Sequence, residues 1–415
     1  MSTIYQHDNQ APPRGPLAKL FKGRNGDDDA RREWTLVGVG LIGLLAVLAV
    51  VIAVVSFASS QNGEPAVAAT ADAAPVAAVA PSTGGLTPAP SIDDAKGVEY
   101  EPFEWVDPTL PEVPAGDVKE FTVDVAEHNV QVHPDLAPTN AWTYAVNGEV
   151  FRGTAASPPI VVEEGDDVAI TFVNGGSEEM KVSMAHSIDF HSAEVNPGEY
   201  YVNVKPGEEK LIRFKAKHPG VFMYHCATSP ILMHVGAGMS GAMIVKPKDL
   251  PPVDRELWIT QAEYYIGQPG ATADMEKLQA IAPDVVAFNG YADQYSAKPI
   301  DVKAGERIRL YVLNTGPSKW SAFHVIGTIF DRVVSDNGVA EHVQTMNLAP
   351  SQGGFAEFTL DEEGTYPFLT HAFGDMVKGA HGVLKTENAP VAGEAGHPAP
   401  ADDAKAAEHD HDAHS

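Results

Sequence analysis

The feature that most constrains the fold is an internal repeat in the middle of the chain. Residues 158–176 align without a gap with residues 298–316, and both segments read as a strand, a tight turn with a glycine, and a second strand. Residues 205–222 and 349–366 share a proline, a phenylalanine and a glycine at equivalent places. Repeated structure produces this kind of self-similarity. Two copies of one unit are therefore the simplest explanation, with chance similarity as the alternative.

Short runs of β-branched and aromatic residues, broken by Gly, Pro and Asn, fill residues 117–386. Such runs are typical of strands. The chain has 415 residues, of which 44% are hydrophobic, so it has room for two or three domains with sizeable cores. We predict an all-β protein with two tandem Greek-key β-sandwich domains, at residues 117–250 and 251–386.

The N-terminal part predicts a membrane anchor. Residues 35–58 are apolar and uncharged, and six Lys and Arg residues precede them. Such a stretch is long enough to cross a bilayer, and the basic flank predicts a cytoplasmic tail at residues 1–34. We expect a single transmembrane helix in the cell membrane, with the folded domains outside the cytoplasm. The alternative is a long signal peptide that is cleaved near Ala58.

Two further segments do not resemble packed domains. Residues 59–116 begin as an Ala/Pro-rich spacer and lead into the first sandwich, and residues 387–415 form a tail that contains several histidines. The formal net charge of −28 argues against a nucleic-acid partner.

Cys226 is the only cysteine, and potential metal ligands surround it in the sequence. His186 precedes it, and His234 and Met239 follow it. Two imidazoles, a thiolate and a thioether are the ligand set of a blue-copper centre. The alternative is a buried structural cysteine with incidental histidines.

The alternation of side chains along a strand predicts a second metal site. In residues 186–191, His186 would face one side, while Asp189 and His191 would face the other. The same argument separates His225 from Cys226, so His225 can join His191. The second repeat offers His371 at an approximately equivalent position, although a lone histidine of this kind can also be structural. Three imidazoles would leave an open position for a substrate.

These motifs resemble those of the copper-containing nitrite reductases. Six segments occur here in the same order as in that family: HSIDFH, GVFMYHC, MHVGAGM, FHVIG, FDRV and the TH at residues 370–371. The resemblance covers about residues 117–386. The short loop from Cys226 to His234 is similar to the loop in the branch of the family that includes the outer-membrane enzymes of Neisseria. It implies two cupredoxin-like domains and the one-electron reduction of nitrite to nitric oxide and water.

The resemblance also implies the copper ligands. A type 1 copper would accept electrons and pass them to a type 2 copper, with one of each per subunit. The family forms homotrimers with the type 2 copper between subunits, so a neighbouring subunit would donate His371. The implied ligands are His186, Cys226, His234 and Met239 for type 1 copper, and His191, His225 and His371 for type 2 copper.

Three further residues match the family's substrate site. Asp189 and His324 correspond to its proton-handling pair, and Ile326 corresponds to the apolar residue that lines its substrate pocket. The alternatives are a solvated turn residue for Asp189, a satisfied core histidine for His324 and ordinary core packing for Ile326. Separately from the resemblance, we expect an electron donor such as a small cupredoxin or a c-type cytochrome.

Two other functions compete with nitrite reduction. A two-domain multicopper oxidase would reduce dioxygen, but it normally needs several His-x-His pairs, and the only one is His409 and His411 in the tail. An anchored cupredoxin that only carries electrons would leave the second ligand set unused. The tail histidines could collect copper, or they could belong to a disordered acidic tail.

Overall fold

The computed structural model of the protein describes residues 85–176 and 180–389. Most of the regular structure in these residues is strand, which confirms the predicted all-β fold. Within the same ranges, no helix is long and apolar enough to cross a membrane. The predicted span at residues 35–58 and the histidines of the C-terminal tail lie outside the described residues.

The described residues form strands and short helices with the following bounds. The strands up to residue 246 are β1 (Val118–Val130), β2 (Thr139–Val146), β3 (Ile160–Glu163), β4 (Asp167–Val173), β5 (Asp189–Phe190), β6 (Glu209–Lys215), β7 (Gly220–His225) and β8 (Ser240–Lys246). The later strands are β9 (Arg255–Tyr264), β10 (Val285–Phe288), β11 (Ile300–Val302), β12 (Arg307–Gly316), β13 (Ser321–Val325), β14 (Phe330–Ser335), β15 (Gly338–Val343), β16 (Met346–Leu348), β17 (Gly353–Thr359), β18 (Thr365–Thr370) and β19 (His381–Thr386). The helices are a 3-10 turn (Ile92–Ala95), α1 (Pro197–Tyr200), α2 (Ile231–Gly236), α3 (Met275–Ala280), α4 (Gln294–Ala297) and α5 (Phe373–Met376).

The strands up to residue 246 form two facing sheets, in the orders β2-β1-β4-β6 and β3-β8-β7-β5. Alternate residues point into the space between the sheets, as in β6, where Ile212 and Phe214 are buried and their neighbours are not. The inward side chains form one hydrophobic core, which includes Tyr144, Tyr224 and Cys226.

The later strands repeat this arrangement with additions. One sheet has the order β10-β9-β12-β17-β14-β15 and the other has the order β11-β19-β18-β13-β16. The two aligned sequence segments, residues 158–176 and 298–316, form β3-β4 and β11-β12, which occupy equivalent positions in their sheets. A second hydrophobic core lies between these sheets.

A third apolar cluster joins the two pairs of sheets, and β7 contributes to it. Val221 and Met223 pack in this cluster against Trp258 and Phe355, whereas the alternate residue Tyr224 belongs to the first core. The contact is close, because a Cβ atom on Gly353 would lie 2.4 Å from the carbonyl oxygen of Val221. The two faces of β7 therefore have different surroundings, and this difference continues to the residues at its C-terminal end.

Before the first strand, the chain contacts both pairs of sheets, and on the first pair Glu101 donates a backbone hydrogen bond to Asn129 of β1 at 3.0 Å. Phe103 stacks on Tyr291 with ring centroids 3.8 Å apart. Leu110 donates a backbone hydrogen bond to Glu256 at 3.0 Å, and its side chain is buried. The described part of the lead-in is therefore held by packing and backbone hydrogen bonds.

Candidate metal centres

The first centre is a buried cluster of three side chains at the end of β7. The donor atoms of His186, Cys226 and His234 all lie within 4.8 Å of one another. His234 Nδ1 is 3.3 Å from Cys226 Sγ and 3.2 Å from His186 Nδ1. All three residues are almost completely excluded from solvent. One small ion could contact all three donors together.

The loop after Cys226 is tied back onto the strand. Cys226 donates its backbone N–H to the carbonyl of Met239 at 3.2 Å, and Met239 donates to the carbonyl of His234 at 3.1 Å. Met239 is fully buried in the same core as Cys226. Helix α2 carries His234, and Gly236 in this helix faces Leu278 so closely that a Cβ would meet its side chain at 2.4 Å. Packing and backbone hydrogen bonds thus bring His234 to the thiol and hold the backbone of Met239 beside that of Cys226.

The surroundings of Cys226 favour the thiolate. Burial raises the pKa of the thiol, but hydrogen bonds with His186 and His234 outweigh burial and lower the pKa to about 5. The backbone N–H of Ser187 also points at Sγ, at 3.4 Å. A thiolate between two imidazoles is a soft donor set, which suits copper better than a hard cation.

Two residues that the sequence did not single out complete the surroundings of this cluster. Glu127 and Trp142 are paired across β1 and β2. The indole ring of Trp142 lies 5.4 Å from the ring of His186 and 4.9 Å from that of His234. Glu127 Oε1 lies 3.0 Å from His186 Nε2. No sequence motif marks either residue, because each reaches the cluster only through the packing of the two sheets.

The second centre lies at the other face of β7 and contains Asp189, His191 and His225. His225 Nε2 is 3.0 Å from His191 Nε2 and 4.0 Å from Asp189 Oδ2. His191 and His225 line a cleft with Met223 and with Thr315 from β12. The regular strand here covers only Asp189–Phe190, which is shorter than the predicted extended segment, because His191 already begins a turn.

Hydrogen bonding prepares His225 to bind a metal. Its Nδ1 is 2.9 Å from the carbonyl oxygen of Cys226. A carbonyl only accepts, so Nδ1 carries the proton and donates it, and the lone pair of Nε2 faces His191. Burial lowers the pKa of His191, and the neighbouring His225 lowers it further. Both effects favour neutral imidazole, the form that binds metals.

His371 and His324 lie next to each other in the structure, outside both donor clusters. Their rings are 5.2 Å apart, and His324 Nδ1 donates to the backbone carbonyl of Gln344. His371 is exposed beside Phe373, whose ring is 5.2 Å away and 56% exposed. Ile326 follows His324 by two residues and is also exposed. Burial and the neighbouring His371 lower the pKa of His324, with a smaller opposing effect from the Gln344 carbonyl.

Within the described residues, groups of at least three histidine, cysteine or carboxylate donors occur at two places, and His371 belongs to neither. A single chain therefore assembles His186, Cys226 and His234 in one cluster, and Asp189, His191 and His225 in another. His371, which is exposed, and His324, which is half-buried, lie outside both clusters.

Comparisons with known proteins agree with this chemistry. The family model described as "Multicopper oxidase" matches residues 125–249. The copper-containing nitrite reductase of Neisseria meningitidis serogroup B is 36% identical over 67% of this chain and 73% of its own length.

Solved structures give the same result. A copper nitrite reductase from Nitrosomonas europaea is 30% identical, has a TM-score of 0.59, and matches 65% of this chain and 94% of its own. A copper-containing nitrite reductase from Thermus scotoductus is 31% identical, has a TM-score of 0.58, and matches 65% of this chain and 62% of its own. Together with the two donor clusters at the C-terminal end of β7, these similarities place the chain in the family of copper-containing nitrite reductases.

Proposed function

We propose that this protein reduces nitrite to nitric oxide and water with one electron and two protons. The observation that carries the proposal is the pair of neighbours His225 and Cys226, whose side chains enter two different donor clusters. When bound, copper supplies the one-electron chemistry, with electron uptake at the thiolate cluster and nitrite reduction at the histidine cluster. The covalent path between the clusters is short, because the two ligands are adjacent in the sequence.

The type 1 ligands in this proposal are His186, Cys226, His234 and Met239. A buried thiolate with two imidazoles is a suitable environment for a copper ion that changes oxidation state without exchanging ligands. The buried thioether of Met239 supplies the fourth donor, and its backbone hydrogen bonds with Cys226 and His234 support this role.

His191, His225 and His371 are the proposed type 2 ligands. Since His371 lies apart from the other two within one chain, the complete site requires a second subunit. The surroundings of His371 support this, because Phe373 and Val377 are large apolar residues that are more than half exposed. Exposed apolar side chains that are grouped into a patch mark protein interfaces, and the ring of Phe373 lies only 5.2 Å from that of His371. We infer a homotrimer in which each subunit donates His371 to its neighbour.

Asp189 and His324 are the proposed proton donors to nitrite. Asp189 lies 4.0 Å from a nitrogen of His225, and the ring of His324 lies 5.2 Å from that of His371. Joining the two halves of the site would therefore bring an acid and an imidazole to the same open position. Groups that hold and deliver protons at a reacting oxygen typically contribute 10²–10⁴-fold to a rate. Ile326 would line the substrate pocket beside His324.

We also propose a location and an electron donor for this protein. Residues 35–58 would anchor the protein in the cell membrane, with residues 1–34 inside and the copper domains outside the cytoplasm. The donor would be a small cupredoxin or a c-type cytochrome. The net charge of −28 favours a donor with a basic surface.

An anaerobic assay of the purified full-length protein, with copper counted per chain, tests the proposal. We expect two copper ions per chain and nitric oxide formed in proportion to the nitrite consumed. Four copper ions per chain, together with dioxygen consumption in a parallel aerobic assay, would instead indicate a multicopper oxidase. One copper ion without nitric oxide would indicate an electron carrier.

A further inference from the structure

The carboxylate of Glu127 is directed at the thiolate cluster from a neighbouring strand. Its side chain is only 10% exposed, and its Oε1 lies 3.0 Å from Nε2 of His186. The backbone N–H of Ser183 donates to the same oxygen at 2.9 Å. Two donors therefore hold one carboxylate oxygen in place, in a position that solvent hardly reaches.

This contact determines how the imidazole of His186 is oriented. An ionised carboxylate only accepts hydrogen bonds, so Nε2 of His186 carries a proton and donates it. The other nitrogen, Nδ1, then faces His234 Nδ1 at 3.2 Å, inside the donor cluster. The backbone of His186 is also fixed, because it exchanges two hydrogen bonds with Val204 at 3.1 and 2.8 Å. Glu127 is thus the side chain that fixes the ring.

We propose that Glu127 is a positioning residue for the electron-accepting centre and that its negative charge lowers the reduction potential of that centre. The proposal rests on the proposed function, since it assumes a copper ion at His186, Cys226 and His234. Carboxylates that accept from a ligand histidine fix its tautomer and raise its basicity. Glu127 contributes this effect from β1, which supplies none of the ligands.

The direction of the effect follows from charge. The centre gains one electron when it is reduced, so its oxidised state is more positive by one unit. A negative charge nearby stabilises the more positive state, and it does so more strongly in a buried site than at a solvated surface. Removal of the charge should therefore make reduction easier.

The test is a redox titration of the copper-loaded protein, followed by its visible thiolate-to-copper absorption. Glu127→Gln keeps an oxygen that accepts from Nε2–H but removes the charge. At a fixed solution potential, we expect the ratio of reduced to oxidised protein to increase about tenfold. This increase corresponds to a rise of about 59 mV in the reduction potential of a one-electron couple. Glu127→Asp, which keeps the charge, should stay closer to the wild-type potential. Glu127→Met, which has no charge and only a weak acceptor, should show at least the same rise in reduction potential.

The chain offers a matched control on the same strand. His128 Nδ1 is paired with Glu101 Oε2 at 3.2 Å, and His128 points to the opposite face of β1. Glu101→Gln removes a carboxylate from a histidine pair that belongs to neither donor cluster. The reduction potential of the Glu101→Gln variant should equal that of the wild-type protein.

The possible outcomes separate this inference from the proposed function. Wild-type potentials in both Glu127→Gln and Glu127→Met, with the absorption band intact, would overturn the role of Glu127 while nitrite reduction stands. A rise in the reduction potential of Glu127→Met, without a rise in Glu127→Gln, would overturn the role of the charge. It would assign the effect to the weakened hydrogen bond from Nε2–H of His186. A wild-type protein that binds copper without any thiolate-to-copper band would instead overturn the assigned centre itself.

Discussion

His225 and Cys226 are adjacent in the sequence, yet their side chains enter two different donor clusters. Cys226 Sγ lies 3.3 Å from His234 Nδ1 in the first core, whereas His225 Nε2 lies 3.0 Å from His191 Nε2 at a cleft. Successive residues of a strand point to opposite faces, and here the two faces belong to different environments. One peptide unit therefore connects the two candidate metal centres.

Replacing Met239 by leucine should change the first centre without affecting the second. Leucine fills a similar volume but cannot donate a thioether to the metal, and the axial ligand tunes the potential of such centres. We expect a higher reduction potential and a changed colour, measured by redox titration and visible absorption, with nitrite binding preserved. Met243→Leu is the control, because Met243 is equally buried in the same core and its sulfur accepts from Ser192 instead. An unchanged potential in Met239→Leu would contradict the assignment of Met239.

Replacing His324 by asparagine should slow turnover by about 10²–10⁴-fold with the copper content unchanged. The reason is that the variant lacks an imidazole beside His371 for proton delivery. Turnover and bound copper are measured on the same sample. His342→Asn is the control, since His342 is exposed and has a positive φ of 54°, which asparagine tolerates well. Normal turnover in His324→Asn would exclude the proton role.

The pH profile tests the same role in a second way. Each turnover consumes two protons, so the wild-type rate should fall as the pH rises. Burial and His371 lower the pKa of His324, so its protonated form is lost at a lower pH than that of a free histidine. The fall should therefore begin below the ordinary histidine value of about 6.5. A flat profile from acid to alkaline pH would contradict the Asp189 and His324 scheme.

The thiol of Cys226 should ionise at low pH in the metal-free protein. Its hydrogen bonds lower the pKa to about 5, against the burial that raises it. Because this value lies below that of an unfolded cysteine, the thiolate stabilises the fold, and the stabilisation is lost as the pH falls through about 5. Thiolate absorbance in the ultraviolet measures the ionisation, and Cys226→Ser supplies the baseline. A midpoint near 8.5, the value of a free cysteine, would show that the cluster does not favour the thiolate.

Mixed oligomers should reveal whether subunits share the second centre. His191→Ala and His371→Ala subunits should each be inactive alone, because every site would lack one ligand. When the two kinds are unfolded, mixed and refolded together, some sites should pair an intact His191 with an intact His371 from the neighbour. We expect nitric oxide formation to return in the mixture. A mixture as inactive as its parents, with normal type 1 absorption, would show that His371 is not donated between subunits.

Much of the organisation was predictable because it depends on local rules. The strand period assigned His186 and Cys226 to one site and Asp189, His191 and His225 to another, and the structure brings the same residues together. This grouping holds even though β5 covers only Asp189–Phe190. The family resemblance, confirmed by the 36% identical relative, depends on the same short motifs.

Local sequence patterns were enough to predict the all-β class and the family, because strand periodicity and ligand spacing are properties of neighbouring residues. The tertiary structure was needed to show that Glu127 and Trp142 border the thiolate cluster. The contact between Glu127 and His186 joins residues 59 positions apart. Such a contact depends on how two sheets pack against each other, and no local pattern encodes that packing.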